Sequence, residues 1–169
     1  MSIECFEIRW TKLFPLEEVA NQSEIDNKGI YIRFVVTRGN KTPHYLGKST
    51  DFRRRTSYHR QATAHLGTDI KRYHISLGVV YSFEKNEMML GCEPKQLKDI
   101  EDYLRNKLHL KGNDQSTLKG YSGNPIIIIN TGTVPKLLQK VMSPNSKLLE
   151  LLTSAIKPKK KTSSSSWGY

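Results

Sequence analysis

Cysteine is scarce in this chain: Cys5 and Cys92 are the only two in 169 residues. Two cysteines so far apart form neither a disulfide framework nor a zinc-ligand spacing. They are expected as reduced thiols in a cytoplasmic protein, with a single Cys5–Cys92 bridge as the alternative. No apolar run approaches the roughly 18–20 residues of a membrane span. Met1-Ser2-Ile3-Glu4 lacks the basic start and apolar run of a secretory signal, so no membrane partner is expected. There is no glycine-rich phosphate loop of the nucleotide-binding type, no Gly-x-Ser-x-Gly and no internal repeat, which argues against a P-loop ATPase, a serine hydrolase of that motif and a solenoid. Acidic residues are also short, 16 against 27 basic, for a net charge of +11. Such an excess predicts attraction to a polyanion by counterion release. Charge alone does not separate DNA from RNA or from an acidic membrane surface, and a merely basic globular protein is the plain alternative.

What is present, 37% hydrophobic and 25% charged residues, suits one globular domain with a real core. Residues 1–28 read as an N-terminal extension packed on that core through Ile3, Phe6, Ile8 and Trp10, with a short helix over Pro15–Asn21. Residues 29–130 form the main unit. Residues 131–156 supply two short helices, Val134–Met142 and Lys147–Ile156. Residues 157–169 are a low-complexity tail, read as disordered, whose Lys157, Lys159, Lys160 and Lys161 would contact phosphates. The predicted fold class is α/β of the α+β kind. A small three-stranded, mostly antiparallel sheet (29–36, 44–48 and 75–83) is flanked by helices over 51–65 and 94–110.

Alternation in the first strand puts Ile30, Ile32, Phe34 and Val36 on a core face and Gly29, Tyr31, Arg33 and Val35 on the other. An antiparallel partner places Tyr45 beside Tyr31 and sends Leu46 into the core. In the helix that follows, which Ser49, Thr50 or Asp51 can cap, Phe52, Arg55, Thr56 and His59 share a face; Arg53, Arg54 and Arg60 lie to its sides and read as phosphate contacts. In the second helix Leu97, Ile100, Leu104 and Leu108 make an apolar stripe, and Glu101 sits at its edge. A carboxylate there needs a cationic partner, which is either a metal ion or a lysine or arginine in a structural ion pair.

Gly29-Ile30-Tyr31, Tyr45-Leu46-Gly47, Arg55 ten residues after Tyr45, His59 four later and Glu101 with Leu104 occur in that order. Together they resemble the GIY-YIG endonuclease family over roughly residues 29–113. Leucine replaces the usual isoleucine of the second motif, 13 residues separate Tyr31 from Tyr45, and Arg105 stands where an aliphatic residue often follows the leucine. The family's final asparagine is Asn113, with Asn124 and Asn130 as rivals.

The resemblance implies a metal-dependent DNA endonuclease, restriction-type or associated with a phage or mobile element. Its partner would be double-stranded DNA, and it would work as a monomer or homodimer. Glu101 would hold one Mg2+, with Mn2+ as a substitute, and Arg55 would bind the scissile phosphate. Tyr31 would act as general base or orient the water, with its phenolate favoured by Lys48 and Arg55. Tyr45 would position the water, His59 would relay a proton or bind phosphate, and Asn113 would orient its neighbours. A non-catalytic nucleic-acid-binding module, or an RNA–protein scaffold of the same fold, is the alternative.

Overall fold

The computed structural model describes residues 3–84, 87–114, 121 and 123–156. The chain is α+β as expected, but its sheet is larger than three strands. The elements are β1 (Glu4–Trp10), β2 (Phe14–Pro15), β3 (Gly29–Thr37), β4 (Asn40–Ser49), α1 (Phe52–His65), β5 (Tyr73–Glu84), β6 (Glu87–Leu90), α2 (Pro94–Leu108), β7 (Ile126–Gly132), β8 (Val141–Met142) and α3 (Ser146–Ile156). The main path runs β4-β3-β5-β1-β7-β8, and β2 and β6 both pair with β5. The expected trio is its antiparallel β4-β3-β5 portion.

Three readings of the sequence are corrected. Residues 1–28 are not an appendage: β1 lies inside the sheet, antiparallel to β5 and parallel to β7. Its Phe6, Ile8 and Trp10 are alternate residues and all are buried, the period-2 pattern of a strand with one face in the core. The stretch expected as a helix over Val134–Met142 is turns ending in β8, which pairs with β7. Its apolar residues Val134, Leu137, Leu138, Val141 and Met142 recur at helical spacing, but Val141 and Met142 pair with Ile129 and Ile128 of β7, so tertiary pairing overrides the local period. Between the expected strands 29–36 and 44–48 the connection is only a two-residue turn, Arg38-Gly39, with φ of 48° and 81°, and Thr37 pairs directly with Asn40. Two positive φ values match the twist of the flanking strands. Pro43 is tolerated because β4 is an edge strand. The short helix expected from Pro15 is a 3-10 helix over Leu16–Asn21, and the one expected from Lys147 is α3.

Each face of the sheet has its own core. On one, Ile30, Ile32, Phe34 and Leu46 pack with Phe6, Ile8 and Trp10 against Leu97, Ile100 and Leu104 of α2. On the other, Tyr31, Ile75, Leu77 and Val79 pack with Phe52 of α1 and with Leu16, Val19 and Ile25 of the 3-10 segments. The second layer buries the face that carries the tyrosines, so Tyr31 is 0% exposed. Among the described residues no helix is long and apolar enough to cross a membrane.

Candidate active site

The pleat sends Tyr31 and Arg33 of β3, and Tyr45 and Gly47 of β4, toward α1. Asp51 caps α1 by accepting a hydrogen bond from the Arg54 N–H at 2.9 Å, which fixes the phase of the helix. Phe52, Thr56, His59 and Thr63 then form its buried face. The Tyr31 Oη lies 2.8 Å from His59 Nε2 and accepts from Arg55 Nε at 3.0 Å. The Tyr45 ring centroid is 6.0 Å from those of both Tyr31 and His59. Tyr31, Tyr45, Arg55 and His59 are therefore one cluster.

The two glycines that lead and close the motifs are sterically required. At Gly29 a Cβ would stand 2.1 Å from the Gly78 carbonyl oxygen, and at Gly47 it would stand 2.6 Å from the Tyr31 hydroxyl.

Glu101 and Lys48 arrive from the opposite face, that of α2, and meet the cluster at the open edge of β4. Lys48 Nζ is 3.2 Å from Glu101 Oε2. A cleft of about 330 Å³ is lined there by Lys48, Ser49, Thr50, Arg54, Arg55 and Glu101. Arg55 belongs to both parts: its Nε holds Tyr31, and its side chain lines the cleft. A larger hollow of about 600 Å³, walled by Phe34, Pro43, Val134 and Leu137, includes none of the predicted site residues. Volume alone does not locate chemistry, and the convergence of titratable groups is the better guide.

Electrostatics correct one expectation. Burial pushes the Tyr31 phenol above its ordinary range, and the neighbouring Tyr45 adds to this; the Arg55 hydrogen bond and charge act against them without prevailing. Lys48 is engaged with Glu101 rather than with the phenol, so Tyr31 is a protonated phenol at neutral pH, not a phenolate. His59 is pushed down to about 4, first by burial and then by the Arg33 and Arg55 charges, so it is neutral.

Asn113 is buried beside β4. Its Oδ1 accepts from Leu46 N–H at 3.0 Å and its Nδ2 donates to Leu46 C=O at 2.7 Å. Asn130 is instead held by Trp10 Nε1 and donates to the Gln139 carbonyl. Asn124 is exposed, and its carbonyl accepts from the Tyr121 hydroxyl. Among the residues expected to touch phosphate, Arg53 is tied to Asp26 by two contacts of 2.8 and 3.0 Å. Arg54 and Arg60 are exposed. Lys157, Lys159, Lys160 and Lys161 lie outside the described residues.

Among the described residues no group of three or more His, Cys, Asp or Glu is placed to hold a metal ion. Glu101, 13% exposed and lining the cleft, fits a hard, mostly water-ligated divalent cation that takes one carboxylate. Such an ion would displace the Lys48 ammonium.

Sequence reasoning missed Arg33, whose Nη1 is 3.2 Å from His59 Nδ1. Its signal was the two-residue spacing from Tyr31, which puts both on one strand face. No protein-family model matches the chain, and no curated protein or solved structure matches it.

Proposed function

We propose that this chain is a metal-dependent endonuclease that hydrolyses phosphodiester bonds in DNA, of the GIY-YIG kind that its motifs resemble. The observation that carries the reading is Arg55: one guanidinium holds the Tyr31 oxygen at 3.0 Å and lines the cleft that Glu101 and Lys48 share. A phosphate drawn into that cleft meets Lys48, Arg54 and Arg55, whose N–H groups would neutralise its non-bridging oxygens and the charge that builds on them. Glu101 would hold Mg2+ or Mn2+, which when bound supplies Lewis-acid help to the leaving oxygen. Tyr45, half-buried between Tyr31 and solvent, orients the attacking water. Tyr31, a phenol at rest, would take a proton from that water only after giving its own to Tyr45, its hydrogen-bonding neighbour, whose hydroxyl would hand one on to solvent. Asn113 acts at one remove, by holding Leu46 between the Tyr45 and Gly47 positions.

The Lys48–Glu101 ion pair favours a second reading, a nucleic-acid-binding module without turnover, in which Glu101 merely balances a lysine. Incubating supercoiled plasmid with the protein, with and without Mg2+, separates the two. Metal-dependent nicking supports the enzyme. Retardation of DNA with no strand breakage under either condition, at any protein concentration that binds, removes it.

A further inference from the structure

Arg33 has no part in the roles above. On β3 it follows Tyr31 by two residues, and its guanidinium lies 5.5 Å from the Tyr45 ring centroid and 5.3 Å from that of Tyr73. Its Nε is buried with no hydrogen-bond partner, and the ion pairs among the described residues do not include it. Its one polar contact given by the structure is Nη1 to His59 Nδ1, at 3.2 Å. A charged, partly buried side chain spent on an imidazole nitrogen, rather than on a carboxylate, controls the state of that imidazole.

We infer that Arg33 is a positioning residue: by donating to His59 Nδ1 it fixes the neutral imidazole with its hydrogen on Nε2, so that His59 donates to the Tyr31 oxygen instead of taking its proton. The argument is one of donor inventory. A guanidinium has five N–H donors, no acceptor, and does not lose its charge in a protein. Facing it across 3.2 Å, Nδ1 must be the unprotonated nitrogen. The other neutral tautomer and the imidazolium both place a hydrogen on Nδ1, against the arginine's own. With Nδ1 bare, the single ring hydrogen sits on Nε2, which faces the Tyr31 Oη at 2.8 Å.

That oxygen then receives two hydrogen bonds, from His59 Nε2–H and from Arg55 Nε–H. Both of its lone pairs are used, and its own hydrogen is left to Tyr45. His59 is therefore not a proton acceptor for Tyr31 but a second fixed donor. Whenever the Tyr31 proton departs, the phenolate is met by donors already in place, with no reorganisation. The groups facing His59 are Tyr31 and Arg33 from β3, Tyr45 from β4, and Arg55 and Tyr58 from α1. None is a carboxylate, so nothing there stabilises a second ring proton. The suppressed basicity of His59 agrees with this arrangement. The catalytic meaning of the tautomer rests on the proposed nuclease reading; the tautomer itself does not.

The test needs neither DNA nor metal. The full chain is labelled with 15N at its five histidines, and two-bond proton–nitrogen spectra are recorded from pH 5.5 to 8, with His59 assigned by its loss in His59→Gln. Wild type is expected to show an unprotonated Nδ1 and a protonated Nε2 throughout, with no titration. Arg33→Met is expected to give a mixture of tautomers and to raise the apparent His59 pKa from about 4 toward the ordinary value of about 6.5. Tyr31→Phe should leave the tautomer unchanged, because Arg33 sets it. A wild-type spectrum with hydrogen on Nδ1 overturns the inference, as does an imidazolium titrating near its ordinary value. So does an Arg33→Met spectrum identical to wild type. If Arg33→Met does not fold, the wild-type spectrum still decides. A protein with the stated tautomer that nicks nothing would remove the proposed activity alone, whereas a nicking enzyme with the other tautomer would remove this inference alone.

Discussion

Asn113 imitates a neighbouring strand for Leu46: one side chain satisfies both the N–H and the C=O of a residue on the open edge of the sheet. Gly112 N–H adds a bond to the His44 carbonyl at 2.7 Å, so the loop after α2 closes the edge of β4 beside the cleft. Asn113→Ala leaves two backbone groups without those partners and is expected to cost about 2–4 kcal/mol in urea unfolding. Asn113→Asp keeps the acceptor but sets a carboxylate oxygen against the Leu46 carbonyl. It should be at least as damaging at pH 7 and regain stability relative to wild type on acidification. The sign follows because burial and the facing carbonyl raise the folded carboxyl pKa above its unfolded value, so the folded state binds the proton more tightly. Equal urea midpoints for Asn113→Ala and wild type would show that the clasp contributes nothing.

Gly47→Ala tests how tightly the cluster is packed. The new methyl would meet the Tyr31 hydroxyl at 2.6 Å and the Tyr45 ring at 2.8 Å, and Tyr31, fully buried, has little room to retreat. Overpacking of this kind costs about 1–3 kcal/mol. The expected result is a lower melting temperature and a larger loss of nicking than the folded fraction explains.

His59 makes stability depend on pH. Its folded pKa, about 4, lies below its unfolded value, so the unfolded state binds more protons between the two. Its contribution is complete above pH ~6.5, declines as pH falls through that window, and is lost below the folded value, on the order of 3 kcal/mol in all. His44 and His74, also lowered, act in the same direction. His59→Gln should therefore flatten the dependence of unfolding free energy on pH between 4 and 6.5 by up to one proton, about 1.4 kcal/mol per pH unit. Parallel wild-type and mutant curves across that range would contradict a neutral buried His59.

Glu101→Gln separates metal ligand from salt-bridge partner. If Glu101 holds the catalytic cation, nicking should fall roughly 10³-fold or more, while DNA binding persists or tightens because a negative charge facing phosphate has gone. Lys48 is 33% exposed, so water can solvate it once Glu101 is neutral, and melting should move by less than about 1 kcal/mol of stability. A mutant that nicks at the wild-type rate assigns Glu101 to Lys48 alone.

Much of this site was legible because it follows periodicities. The pleat gave the shared face of Tyr31 and Tyr45, and helical spacing gave Arg55 and His59. The stripe of α2 gave the edge position of Glu101. Other features were not legible, for physical reasons. The other face of β3 is a second core, because Leu16, Val19 and Ile25 cover it from a segment whose 3-10 turns leave no amphipathic period to read. Lys48 sits immediately after the second motif, yet strand alternation turns it from Tyr31 to Glu101. The phenol's environment was misjudged because proximity to cations was legible while the depth of burial was not. Alternation places Arg33 on the face of Tyr31, but its contact with His59 depends on how α1 packs on the sheet, which no spacing records.

The place of β1 has a kinetic consequence. The strands and helix that carry Tyr31, Tyr45, Arg55 and His59 are consecutive, from Gly29 to His65, and β3 and β4 pair directly across a two-residue turn. β1 finds Tyr81 and Val80 on one side but Ile126 to Gly132 on the other. During synthesis β1 therefore has no strand partner until β5 has been made, and its other edge stays unpaired until Ile126–Gly132 follows. Long-range pairings of this kind slow folding and expose nascent chains to aggregation. An amino-terminal fusion that shelters residues 4–10 should raise soluble yield, whereas deleting them should split the sheet between β5 and β7.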